Sequence, residues 1–195
     1  MEALNYLVEH IDLTIFGAMV IAVVLSFIPK IDYPIEMLSR FFMIISVIAL
    51  IALTLLVSYD VIMRKLFSAG SIGFQELEWH LFDIVFLFSI AYTLSKDKHV
   101  RVDIFYDKFP FKVKKIINLI TILFFVIPLA ALIIVEAISF VQMSYAQNES
   151  SGDPGGLCCR WIIKSTMIWA FLMVYLQSIA ELKKIYYQLK YHKGE

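Results

Sequence analysis

Charged side chains are scarce in this sequence, making up 17% of its 195 residues against about 25% in an ordinary soluble domain. The 17 basic residues are matched by 17 acidic ones, so no global field exists to draw in nucleic acid or a cationic partner. Cysteine is confined to Cys158 and Cys159, whose adjacency suits neither a structural disulfide between them nor a four-ligand zinc set. No glycine-rich phosphate loop, Ser-His-Asp set or zinc-ligand spacing occurs. The sequence therefore predicts no catalytic residue, cofactor or metal site. Paired, glycine-interrupted half-helices, which hold ions and substrate at the midplane of a self-sufficient transporter, are also missing. The first ten residues carry no Lys or Arg, and the first apolar block runs into Pro29 and Lys30 without a small-residue cleavage site. A secretory signal is accordingly not expected, and the chain should stay whole.

What is present is apolar. Hydrophobic residues account for 61% of the chain, arranged in long blocks rather than in the periods of half-buried soluble elements, which points to a bilayer as solvent. The blocks run from about Leu13 to Ile28, Phe41 to Ile62, Phe74 to Leu94, Ile116 to Phe140 and Trp161 to Ile179. The last four are long enough to cross about 30 Å of hydrocarbon. The first is shorter, yet apolar around its whole circumference from Ile15 to Leu25, which favours a fifth span over an in-plane amphipathic helix. The expected fold is an all-α integral membrane protein of four to five transmembrane helices plus short interfacial amphipathic helices. It forms a single membrane domain over residues 1–195, with 11–28 as an extra N-terminal helix and 40–182 as a four-helix region. Two stretches suit the interface: Asp103 to Lys115, which interleaves Ile104, Phe105, Phe109, Phe111 and Val113 with acids and lysines, and Tyr33 to Arg40.

Basic residues give the arrangement a direction, because cytoplasmic loops retain Lys and Arg. One side collects 13 of them, among them Lys30, Arg40, Lys96, Arg101, Lys115 and Lys183, while the other has only Arg64, Lys65, Arg160 and Lys164. The C-terminus is thus expected in the cytoplasm and the N-terminus outside. Trp161 and the Tyr186, Tyr187, Tyr191 group fall where interfacial aromatics belong.

An acid in mid-bilayer costs about 2.5–3.5 kcal/mol, and the acids here are expected mostly to avoid the middle. Glu76, His80 and Asp83 fall at i, i+4 and i+7, on one face of the outer half of their helix; a wetted entrance and a partner contact are both open readings. Asp60 and Arg64 at i, i+4 should pair locally. Glu136 either snorkels outward or meets a neighbouring helix, and Pro128 should at most kink its helix. The main rival from another class is a haem-binding or other redox-complex membrane anchor. His80 lies near the outer end of its helix, His99 in an inner loop, and His10 and His192 at the flanks, so no two face each other across one haem. A self-associating scaffold is a third reading.

Two local stretches say more. Gln75 to Pro110 (QELEWHLFDIVFLFSIAYTLSKDKHVRVDIFYDKFP) contains the element His99, Val100, Arg101, Val102, Asp103, and Ser150 to Ser165 (SSGDPGGLCCRWIIKS) leads through Gly155, Gly156, Trp161 and Lys164 into the last block. Together with Arg64, Lys65, Leu66 and Phe67, these resemble the small membrane subunit (Q, or DctQ-like) of tripartite ATP-independent periplasmic (TRAP) transporters, over about Arg40 to Ala180. Cys158 stands where that family often has proline. The resemblance implies a permease subunit in the cytoplasmic membrane of a bacterium or archaeon, without catalytic residues. Its implied partners are a large membrane subunit (M), which carries sodium and a solute of organic-acid type by an elevator-like motion, and a periplasmic substrate-binding protein. The family usually has four spans, so 11–28 is an addition. Candidate interface residues are His99, Arg101, Asp103, Glu76, Glu78, His80, Asp83, Arg64 and Lys164, with the first, second and third of these placed to lock the inner ends of two helices.

Overall fold

The computed structural model describes residues 10–96 and 109–191. Five helices account for nearly all of these residues: α1 (Ile11–Ser26), α2 (Asp32–Phe67), α3 (Ile72–Ser95), α4 (Phe111–Ala146) and α5 (Trp161–Tyr191). At about 1.5 Å per residue, α3 runs about 36 Å, α5 about 46 Å, and α2 and α4 about 54 Å each, all beyond the roughly 30 Å of a hydrocarbon core. These four are long and apolar enough to cross a membrane. With no strand among the described residues, the chain is an all-α membrane protein. The favoured fifth span is shorter than that: α1, with 16 residues, covers only about 24 Å.

The interfacial element read into Tyr33 to Arg40 does not exist separately. Its residues are the first turns of α2, because nothing between Pro34 and the apolar block breaks the helix, and Pro34 costs little in a first turn. Of the second interfacial stretch, Phe111 to Lys115 forms the first turn of α4, and the remainder lies mostly outside the described residues.

Pro128 does more than kink α4. Residues Ile122–Val126 form a π-helical turn just upstream of it, the wider turn accommodating a ring that cannot donate an N–H and would collide with the preceding turn. The turn places Ile122 and Ile127 on a common inward face with Ala22, Ile179 and Leu182, where α1 lies against α4 and α5.

The helices form a layer more than a bundle. α2 packs along α3, α3 along α5, α5 along α4, and α1 along both α4 and α5; α5 also meets α2. Only 11% of the most apolar stretch of α2, and the same share of α3, is buried within the chain, so most of the apolar surface faces outward. Contacts use small residues, among them Ala22, Ala91, Ala130, Ala137, Ala170 and Ala180, which let backbones approach closely where lipid offers no hydrophobic drive. Polar groups add specificity. Ser39 Oγ donates to Gln177 Oε1 at 2.8 Å, Ser46 Oγ to the Val85 carbonyl at 2.8 Å, and the Tyr175 hydroxyl to the Ala18 carbonyl at 2.8 Å.

The connections between successive helices alternate between the two ends. Lys183 Nζ donates to Asp32 and, at 3.2 Å, to the Ile28 carbonyl, which fixes the α1–α2 turn beside the late turns of α5. That end carries Lys30, Lys96, Lys112, Lys114, Lys115, Lys183, Lys184 and Lys190 and is called the basic end. The opposite end carries the α2–α3 and α4–α5 connections.

Candidate subunit interface

The α4–α5 connection is built from turn chemistry. Asp153, Pro154, Gly155 and Gly156 make a type II turn: Gly155 has φ +85°, and the Gly156 N–H donates to the Asp153 carbonyl at 3.0 Å. Proline presets the second position, and the third needs the left-handed region that glycine enters freely. Ser151 reaches over the turn, its backbone N–H donating to the Leu157 carbonyl at 2.9 Å and its hydroxyl accepting from the Asp153 N–H at 3.1 Å.

This loop is fastened to α3 by one carboxylate. Glu76, in the second turn of α3, is 8% exposed. It accepts the Leu157 N–H at 2.6 Å on Oε2, and the Arg160 guanidinium at 2.9 Å together with the Ser151 hydroxyl on Oε1. A buried carboxylate is tolerable only when its lone pairs are so occupied. Packing is equally tight: a Cβ at Gly156 would lie 2.8 Å from Glu76 Oε2 and closer still to the Ser151 side chain, and one at Gly73 would lie 3.1 Å from the Gly155 carbonyl.

A second pair steadies the other leg. Lys164 is ion-paired with Glu149 and sits 3.9 Å from the centre of the Phe140 ring, in cation–π range, while the Arg160 N–H donates to the Glu149 carbonyl at 3.1 Å. The Lys164 ammonium holds the Glu149 carboxyl below its usual value. Cys158 and Cys159 are free and exposed on the same loop.

The other acids divide between inside and outside. Asp60, 1% exposed, is paired with Arg64 one turn on, as the spacing predicts. Glu78 and His80 are half-buried, with Glu78 Oε1 enclosed and unpartnered. Asp83 faces outward among Trp79, Phe82 and Phe86, exposed by 72%, 58% and 57%. Glu76, His80 and Asp83 therefore do not form one polar entrance: the first is consumed inside the chain and the last is presented outside it. Asp83 is the twelfth of the 24 residues of α3, and Glu136 is exposed ten residues before the end of α4. Helix α3 begins further from Asp83 than the apolar block suggests, because Ile72 and Gly73 are already helical. His99, Arg101 and Asp103 lie outside the described residues.

The sequence did not reveal the partners of Glu76, which are 75 to 84 residues away. The available signal was an acid in the second turn of α3 and an arginine just before α5, at the end that is poor in basic residues.

The family description "Tripartite ATP-independent periplasmic transporters, DctQ component" matches residues 53–186, taking in the C-terminal part of α2, all of α3 and α4, the Glu76 loop and most of α5. No curated protein matches the chain.

Proposed function

The chain belongs to the DctQ-component family of tripartite ATP-independent periplasmic transporters, and from that premise we propose that it is the stationary frame of its complex. A multi-pass membrane component of a transporter, it holds the large M subunit at a fixed depth while that subunit carries sodium and an organic acid, delivered by a periplasmic binding protein. Its basic end faces the cytoplasm together with the C-terminus, and the N-terminus faces outward, in the cytoplasmic membrane of a bacterium or archaeon. Family membership does not favour the redox-anchor reading.

The observation that carries the proposal is the outward face of α3. Asp83 stands at the midpoint of a membrane-length helix, exposed, between Trp79, Phe82 and Phe86. Against lipid, such an acid costs about 2.5–3.5 kcal/mol. Against another polypeptide it gains a hydrogen-bond donor, and the three aromatic rings supply the kind of anchor that subunit interfaces favour. The long exposed stripe of α2, Phe41, Ile44, Ile48, Ile51 and Leu55, suits lipid equally well and carries no such preference. Glu76, Arg160, Lys164 and Glu149 shape the loop end that the binding protein approaches, and Arg64 and Glu78 border it. His99, Arg101 and Asp103 lock the inner ends of helices near M.

Co-purification tests this. Expressed with its M subunit, the chain should extract as one complex, and Asp83→Leu should release M while leaving the chain inserted and helical. Solute uptake by this chain reconstituted alone, or an undiminished complex with Asp83→Leu, would overturn the proposal.

A further inference from the structure

At the basic end, an apolar slot of about 220 Å3 opens between α1, the first half of α4 and the last turns of α5, walled by Val23, Phe27, Leu119, Leu123, Leu182 and Tyr186. Lys183 and Tyr187 border it and also border a second, wider hollow of about 560 Å3 that includes Lys30, Asp32 and Tyr33. Slot and hollow thus join an apolar channel to a polar mouth.

The charges at that mouth are unequal. Lys183 is only 10% exposed and is committed to Asp32 and the Ile28 carbonyl, which uses two of its three protons. Lys30 is exposed and held at φ +62° in the turn after α1, and among the described residues no acid is paired with it. Among the residues that line the two hollows, two ammonium groups stand against one carboxylate, with Tyr187 on the same rim. An occupant must therefore combine a long apolar chain with an anionic, oxygen-rich head. A helix, about 10–12 Å across, is too wide for a slot of this volume, whereas an acyl chain is not. The ring of Phe27, edge-on to Tyr186 at 5.8 Å, closes one side at the level where aromatic side chains meet lipid headgroups.

We propose that this groove is a binding site for an anionic phospholipid, one acyl chain in the slot and the phosphate between Lys30, Lys183 and Tyr187. One wall of the slot is α1, which precedes the family match at residues 53–186, while Leu119, Leu123, Leu182, Lys183 and Tyr186 lie within it, so the site needs the N-terminal helix as well as the shared region. The site requires that the helices cross a bilayer; it does not require a particular orientation or an M subunit. A bound lipid stitches α1 to α4 and α5, helping to hold in place a helix too short to be secured by its own span.

Native mass spectrometry of the full chain released from nanodiscs of equal phosphatidylglycerol and phosphatidylethanolamine tests the site. Phosphatidylglycerol should be enriched among retained lipids. Lys30→Gln should lower that enrichment about fivefold, the order expected for one lysine at an anionic surface. Leu123→Trp, filling the slot, should lose retained lipid of both kinds, and Val23→Phe provides the same test from the opposite wall should the first variant fail to insert. Retained lipid that mirrors the disc composition in the unmodified chain, a preference for phosphatidylethanolamine, or undiminished retention in slot-filled variants that remain helical would each overturn the proposal.

Discussion

Gly156→Ala is the sharpest test of the loop end. Gly156 does not occupy the left-handed region, so its backbone suits alanine and the effect is purely steric. The new methyl would stand 2.8 Å from Glu76 Oε2 and nearer to the Oγ and Cβ of Ser151. A carboxylate tip can swing aside, but a Cβ anchored to the backbone cannot, so the loop must shift and loosen the Glu76 hydrogen bonds. Overpacking of this kind costs about 1–3 kcal/mol, and about 2–4 °C in melting temperature accompanies each kcal/mol in a chain of this size. Thermal melting in detergent should therefore show a drop of several degrees for Gly156→Ala. Gly152→Ala, where nothing lies within 4 Å of the added methyl, should melt with the unmodified chain. Ser151→Gly removes two of the three clashing atoms, so Gly156→Ala on that background should cost little more than Ser151→Gly alone. Gly156→Ala melting with the unmodified chain, or its full penalty persisting without the Ser151 side chain, would refute the packing described for this loop.

Three further outcomes follow from other parts of the molecule. The Glu149 carboxyl titrates below its ordinary value because of Lys164, so the stability it confers is fully present above the ordinary carboxylate range and is lost as pH falls through the lowered value. Lys164→Met should remove that component of the acid limb, and an identical pH dependence of melting in both proteins would contradict the assignment. Ser39→Ala should cost about 0.6 kcal/mol, the mean for hydrogen bonds between membrane helices, read by unfolding in mixed micelles; a stabilised variant would show that Ser39 and Gln177 do not hold α2 to α5. Arg101→Ala with Asp103→Ala should weaken recovery of M on co-purification, and an intact complex with altered solute affinity would contradict their proposed locking role.

The four long helices were legible because span length is set by the bilayer and stamped on the sequence as apolar blocks. The local Asp60–Arg64 pair was legible for a similar reason, since one turn of helix determines it. Helix limits were less so: α2 swallows Tyr33 to Arg40 and α3 extends back to Ile72, because polar residues just outside the hydrocarbon continue a helix as well as they end one. The response to Pro128 was hidden in how neighbouring helices pack on the π turn. Least legible were Glu76 with Arg160 and Asp32 with Lys183, pairs 84 and 151 residues apart. Their partners are chosen by which helix ends meet, which no local pattern records. Asp83 was visible as a candidate, but whether it faced inward or outward was not.

The central position of α5 sets the order in which this protein can be completed during synthesis. Before the last helix leaves the ribosome, α2 and α3 have each other, and α1 has α4, but the extensive contacts that join these two pairs run through α5. Without α5 the chain is two helix pairs, α2 with α3 and α1 with α4, and Asp32 lacks Lys183. The two ends are then closed in order: the loop that precedes α5 brings Ser151, Leu157 and Arg160 to Glu76, and the late turns of α5 bring Lys183 to Asp32.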